Sequence, residues 1–73
     1  MSKRYHRDIH GTEFATAREA IHQAQQTGGP AIRLGGRHLV VSAAEANRLE
    51  MTGTAFAYLS LCRGRVVTVP VNG

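Results

Sequence analysis

The sequence predicts a small two-layer α+β domain with the element order α-β-β-α-β-β, in which two antiparallel hairpins pack against two short helices. Three observations predict it. Two capping boxes each precede a run with helical spacing, two glycine-containing reversals each separate strand-like runs, and 73 residues suffice for one domain only. We expect residues 1–12 to form a flexible basic arm, with a short extended piece around residues 12–15, and residues 13–73 to form the domain.

Composition excludes a multidomain enzyme, a transmembrane protein and a disulfide-rich scaffold. The chain has no run of 18 apolar residues and a single cysteine, Cys62, which we expect to be buried or at a strand end. A chain without internal disulfides fits a reducing compartment, and residues 1–14 lack the apolar stretch of a secretory signal. We therefore expect a cytoplasmic protein without a membrane partner.

The first helix is predicted over residues 17–27. Thr16 and Glu19 have capping-box spacing, and the glycines at 28 and 29 before Pro30 end the helix. Its apolar face is formed by Ala17, Ala20, Ile21 and Ala24.

The second helix is shorter and must pack on the sheet to be stable. Ser42 and Glu45 form its capping box, and we expect it to run through Leu49 to about Thr52, before Gly53.

The first hairpin is predicted around Gly35 and Gly36, which suit a two-residue turn with positive φ. In that register Leu34 lies opposite Arg37. One face of the ribbon is then apolar, with Ile32, Leu34, Leu39 and Val41, and the other is mostly solvated, with Arg33, His38 and Val40.

The second hairpin is predicted over the last 19 residues, with two possible registers. A three-residue loop of Cys62, Arg63 and Gly64 is preferred, because a two-residue loop mixes the apolar and polar sets. The preferred register places on one face Ala57, Leu59, Leu61, Val67 and Val69. Pro70 cannot donate to a ladder and indicates an edge strand or a strand end.

No residues point to catalysis, a cofactor or a metal. His6 and His10 have helical ligand spacing around Asp8, but a zinc site needs three or four ligands, and we expect a solvated arm instead. Neither His22 nor His38 has an identifiable carboxylate partner that would make it a general base. We therefore expect no enzyme activity and no small-molecule substrate.

Arginine placement is the most informative charge pattern in a chain with a net charge of +4. If the two hairpin tips point the same way, their bases converge with the N-terminal arm into one polyanion-binding patch. Charged hairpin ends also serve solubility and discourage edge-to-edge pairing, and this is the role we expect of them. The candidate binding residues are Arg33, Arg37, His38, Arg63, Arg65, Lys3, Arg4 and Arg7.

The stretch GGPAIRLGGRHLVVSAAEANRLE, within residues 14–50, faintly resembles the core of the prevent-host-death antitoxin family. That family has a helix, a glycine, a short hairpin with a basic tip and a second helix. The resemblance implies a dimeric DNA-binding repressor. The tip here is Gly36, Arg37 and His38 where the family has a Gly-Lys-Pro-like tip, and a β-hairpin replaces the family's toxin-binding tail.

These observations predict a noncatalytic binding domain that acts through protein–protein contacts or as a homodimer. Apolar surface or an open strand edge around Tyr58, Val66 and residues 69–71 is the expected contact region. The alternative is a nucleic-acid-binding protein that uses the basic hairpin tips and the arm.

Overall fold

The computed structural model describes residues 9–72, which form two helices and one five-stranded antiparallel sheet. The elements are β1 (Gly11–Phe14), α1 (Ala17–Thr27), β2 (Ala31–Leu34), β3 (Arg37–Val41), α2 (Ala43–Met51), β4 (Phe56–Cys62) and β5 (Arg65–Val71). The strand order is β1-β3-β2-β4-β5. The α+β class and the helix–hairpin–helix–hairpin order are confirmed, with β1 added before the first helix. The expectations for Lys3, Arg4, His6, Arg7 and Asp8 lie outside the described residues.

The first strand begins inside the range expected to be a flexible arm. Gly11 lies opposite Val41 and Thr12 opposite Val40, so residues 11 and 12 belong to the sheet. A Cβ on Gly11 would lie 2.7 Å from the carbonyl oxygen of Val40, so only glycine fits this close approach.

Helix α1 has the predicted bounds and caps. The Thr16 hydroxyl accepts a hydrogen bond from the Glu19 N–H at 3.2 Å. At the other end Gly28 takes a left-handed conformation with φ 86° and donates its N–H to the Ala24 carbonyl at 2.8 Å. The helix buries Ala20, Ile21 and Ala24 against residues of three strands: Ala31, Val40 and Leu59.

Helix α2 also begins as predicted, with the Ser42 hydroxyl accepting from the Glu45 N–H at 3.0 Å. It ends at Met51, with Thr52 as its C-cap. The helix buries Ala46 and Leu49 in a second apolar cluster with Ile32, Leu39, Val41 and Phe56.

The domain has three layers, which differs from the expected two. Ala31 and Ile32 are consecutive strand residues and point to opposite faces of the sheet. Helix α1 covers the face of Ala31, and helix α2 covers the face of Ile32. Strands β2 and β3 are apolar on both faces, so each face needs its own cover.

The first hairpin has the predicted two-residue turn and register, with Leu34 opposite Arg37. Gly35 and Gly36 both have positive φ, at 59° and 82°. The face expected to be mostly solvated is instead partly core, because α1 buries Val40 there.

The preferred register of the second hairpin is wrong. The turn has two residues, Arg63 and Gly64, with φ 55° and 78°, and Cys62 lies opposite Arg65. A two-residue turn with two positive φ values matches the right-handed twist of its strands. The preference for separating apolar from polar residues fails because this hairpin is exposed near its tip, where even Leu61 is 38% exposed.

Candidate functional site

The two hairpin turns lie at opposite ends of the sheet. Strands β2 and β4 are antiparallel, and Arg33 lies opposite Ala57. The β2–β3 turn begins two residues after Arg33. The β4–β5 turn lies in the opposite direction, just after Cys62, which is five residues or about 17 Å of strand from Ala57. The structure therefore does not bring the two sets of tip residues into one patch.

The tip of the first hairpin is partly neutralised within the chain. The Arg37 guanidinium donates to the Glu13 carboxylate of β1, and this hydrogen bond raises the pKa of Arg37. Arg33 and His38 lie opposite each other, and Phe14 lies opposite His38. These three side chains share the α1 face of the sheet, and Arg33 is exposed.

The tip of the second hairpin gathers a third arginine that the sequence analysis did not select. Arg18, in the first turn of α1, donates to the Gly64 carbonyl at 2.6 Å. Arg63 and Arg65 flank the same glycine and are exposed. We call Arg18, Arg63 and Arg65 the basic tip. Arg18 gave no signal in the sequence because a polar residue on the outer side of a helix is ordinary.

Among residues 9–72, no carboxylate contacts Arg63 or Arg65. The two hairpin tips therefore differ, since Arg37 at the first tip has Glu13. The basic tip keeps positive charge available for a group from outside the described residues.

Strand β5 is the last strand of the sheet, so one of its edges faces no other strand of residues 9–72. A two-residue turn makes Cys62 and Arg65 a hydrogen-bonded pair, and alternation then directs the backbone groups of Val66, Thr68 and Pro70 away from β4. Pro70 fits this position because it has no N–H to donate. Val66 and Thr68 each present both an N–H and a carbonyl at the edge.

Exposed valines lie beside these unpaired backbone groups. Val67 is 39% exposed and Val69 is 57% exposed. Both share one sheet face with Arg65 and Cys62, because strand side chains alternate. We call residues 65–69, with their outward backbone groups, the open edge.

Cys62 is at the predicted strand end and is exposed rather than buried. It lies on the same face as Arg65, directly across the hairpin. The thiol is therefore accessible at the start of the open edge.

Glu45 is a buried carboxylate and is 7% exposed. It accepts hydrogen bonds from the Arg48 guanidinium at 2.7 and 3.0 Å and from the His10 N–H at 3.2 Å. The hydrogen bond from Arg48 is the main cause that lowers the pKa of Glu45 below its usual value, and the bond from the His10 N–H adds to it. Burial acts in the opposite direction. These contacts anchor the chain before β1 to α2, which is a structural role.

Two grooves of the described region are lined without carboxylate, imidazole or thiol groups. A shallow groove of about 420 Å³ lies between the end of α1 and the start of α2, and its lining holds no carboxylate, imidazole or thiol. Within residues 9–72 no three His, Cys, Asp or Glu side chains lie close enough to hold a metal ion. The imidazole of His22 contacts Gln26 at 3.3 Å.

Neither described helix is long and apolar enough to cross a membrane. Comparison with known proteins finds no family model, no curated protein and no solved structure that matches the chain. The open edge and the basic tip are the features of residues 9–72 that suit a partner.

Proposed function

We propose that this chain is a small noncatalytic binding module that acts through protein–protein contact along the open edge. The observation that carries the proposal is the edge of β5 that pairs with no strand of residues 9–72, where Val66 and Thr68 present backbone donors and acceptors. An extended segment that adds to such an edge gains main-chain hydrogen bonds, and its alternate side chains meet those of the edge strand.

The composition of β5 suits an edge that binds a partner better than an edge that is protected from pairing. Exposed strand edges are usually blunted by charge, proline or a covering element. Here Arg65 and Pro70 bracket the strand, and the four residues between them, 66–69, are valines and one threonine. The exposed valines at 67 and 69 lose contact with water when a strand covers them.

The partner in this proposal is another protein or a second copy of the chain. A cytoplasmic setting fits it, because the exposed thiol of Cys62 has no cysteine in the chain to pair with and stays reduced there.

A nucleic acid is the second candidate partner, favoured by the contact of Arg18 with the turn that carries Arg63 and Arg65. Three guanidinium groups at one tip suit phosphate contacts. Such binding would weaken steeply as salt is added.

The proposal is tested by selecting linear peptides against the whole chain and comparing two variants at one position. Thr68→Pro removes the outward N–H, and Pro70 is a precedent for proline in this orientation. Thr68→Ala keeps the N–H and is the matched control. We expect bound peptides to shift the amide resonances of Val66 and Thr68, to lose binding with Thr68→Pro and to keep it with Thr68→Ala.

Light scattering of the same three proteins tests a second copy as the partner. Self-association through the edge would be lost with Thr68→Pro and kept with Thr68→Ala. The proposed function is wrong if selected peptides bind elsewhere, or if neither peptides nor a second copy bind.

A further inference from the structure

We infer that the open edge takes an extended acidic segment, added antiparallel to β5, with apolar side chains opposite Val69 and Val67 and a carboxylate opposite Arg65. This inference rests on the proposed function and names the chemistry of the partner. It follows from three features of the edge: its backbone pattern, its valines and its charge.

The backbone pattern fixes which residues of a partner can pair. Val66 and Thr68 each offer an N–H and a carbonyl, which gives four hydrogen bonds to two partner residues. Pro70 offers only a carbonyl, and its ring occupies the place of a donor, so pairing stops there. A partner strand therefore covers about five residues of β5, positions 65–69.

Side-chain alternation then sets the order of the partner's residues. Arg65, Val67 and Val69 point to the same face of the sheet, and partner residues opposite them point to that face too. Antiparallel pairing is the more stable arrangement per residue. Read from its N-terminus, the partner has an apolar residue, any residue, an apolar residue, any residue and then an acidic residue.

Charge selects the acidic residue at the last of these positions. Arg65 and Arg63 have no carboxylate partner among residues 9–72, and Arg18 adds a third positive group at the same tip. A carboxylate opposite Arg65 forms an ion pair with its guanidinium. A basic residue at that position meets like charge instead.

A second copy of the chain fits the edge less well than an acidic strand. Strand β5 contains no carboxylate, so a copy paired about Val67 places Val69 opposite Arg65 and leaves the arginines unpaired. Two such chains also bring two basic tips to one interface, and each chain has a net charge of +4.

A nucleic acid would use the basic tip but not the rest of the edge. Phosphates satisfy guanidinium groups, whereas the alternating backbone groups of Val66 and Thr68 and the exposed Val69 side chain match a polypeptide strand.

The test measures binding of short labelled peptides to the full chain by fluorescence anisotropy. The first peptide carries Val-Thr-Val-Thr-Glu within a neutral frame, the second replaces Glu by Lys, and the third reverses the order. A single-stranded oligonucleotide is the fourth probe. We expect the Glu peptide to bind about tenfold more tightly than the Lys peptide and the reversed peptide, with the difference shrinking as salt is added.

Arg65→Glu is the deciding variant, and Arg33→Glu is its control. Both change the net charge equally, but Arg33 lies at the opposite end of the sheet. We expect Arg65→Glu to reverse the preference in favour of the Lys peptide and Arg33→Glu to leave it.

The possible failures separate the two proposals. If the Glu and Lys peptides bind equally and Thr68→Pro abolishes both, the acidic preference is overturned and strand addition stands. Tighter binding of the reversed peptide overturns the antiparallel order. If only the oligonucleotide binds, or only self-association occurs, the acidic partner is overturned, and binding of no probe counts against both proposals.

Discussion

The Arg18 guanidinium donates a hydrogen bond to the Gly64 carbonyl at 2.6 Å, across 46 residues of sequence. The contact joins the first turn of α1 to the turn of the β4–β5 hairpin. Strands β4 and β5 have seven residues each and continue beyond the four-residue β2, so this end of the hairpin has few strand neighbours. Arg18 is thus a tether for the tip that carries Arg63 and Arg65.

Removing this tether with Arg18→Ala should loosen the tip with little effect on global stability. The side chain is exposed, so we expect the free energy of unfolding to fall by less than about 1 kcal/mol. The amides of Cys62 and Arg65, which close the hairpin beside the turn, should exchange with deuterium several-fold faster. Arg33→Ala is the control, and equal exchange in the two variants would contradict the tether.

The conformation of Arg63 predicts a stabilising substitution. Its φ is 55°, in the left-handed region, where a residue with an ordinary side chain is strained by about 1 kcal/mol. Asparagine tolerates this conformation and is favoured before glycine in such turns. We expect Arg63→Asn to raise the free energy of unfolding by about 0.5 kcal/mol, as measured by urea denaturation. A lower midpoint of unfolding would contradict the assigned turn.

The same turn illustrates where sequence reasoning succeeds and where it fails. Two adjacent glycines at 35 and 36 satisfy both positive φ values of a two-residue turn, so the first register could be predicted. The second turn has an arginine at the first position, and its strands carry apolar residues on both faces. Apolar alternation fixes a register only where one face is buried. Near Cys62 neither face of the hairpin is fully buried, so alternation does not fix the register there.

Local signals predicted both helices because the caps at Thr16 and Ser42 lie next to the residues they satisfy. Layering and site assembly depend on distant partners. The position of α2 on the second face follows from the burial of Ile32 and Leu39, and the separation of the two tips follows from the pairing of β2 with β4. No short stretch of sequence specifies that pairing.

Among the turn glycines, Gly29 is the one where we expect an added methyl group to lower the free energy of unfolding most. A Cβ there would lie 2.3 Å from the Val41 carbonyl oxygen, and that carbonyl belongs to the sheet backbone, which cannot move aside. We expect Gly29→Ala to lower the free energy of unfolding by about 2–3 kcal/mol. Gly64→Ala is the control. Its Cβ would meet nothing within 4 Å, but its φ of 78° is strained for alanine, so we expect a loss of about 1 kcal/mol. A larger loss for Gly64→Ala in urea denaturation would contradict this ranking.

The Glu45 carboxylate should make the free energy of unfolding depend on pH in the acid range. Its hydrogen bonds with Arg48 and the His10 N–H lower the pKa of its carboxyl in the folded protein below the reference value of 4.5. A carboxyl with a lowered folded pKa contributes stability that is fully present above its unfolded pKa. That stability is lost as the pH falls through the folded pKa.

We expect Glu45→Gln to lower the free energy of unfolding at pH 7 by about 1–2 kcal/mol. The difference from the unsubstituted protein should shrink as the pH falls below the reference value of 4.5, because protonation then removes the carboxylate. Urea denaturation at several pH values measures both effects. A difference that stays constant with pH would mean that the charge of Glu45 does not anchor residue 10 to α2.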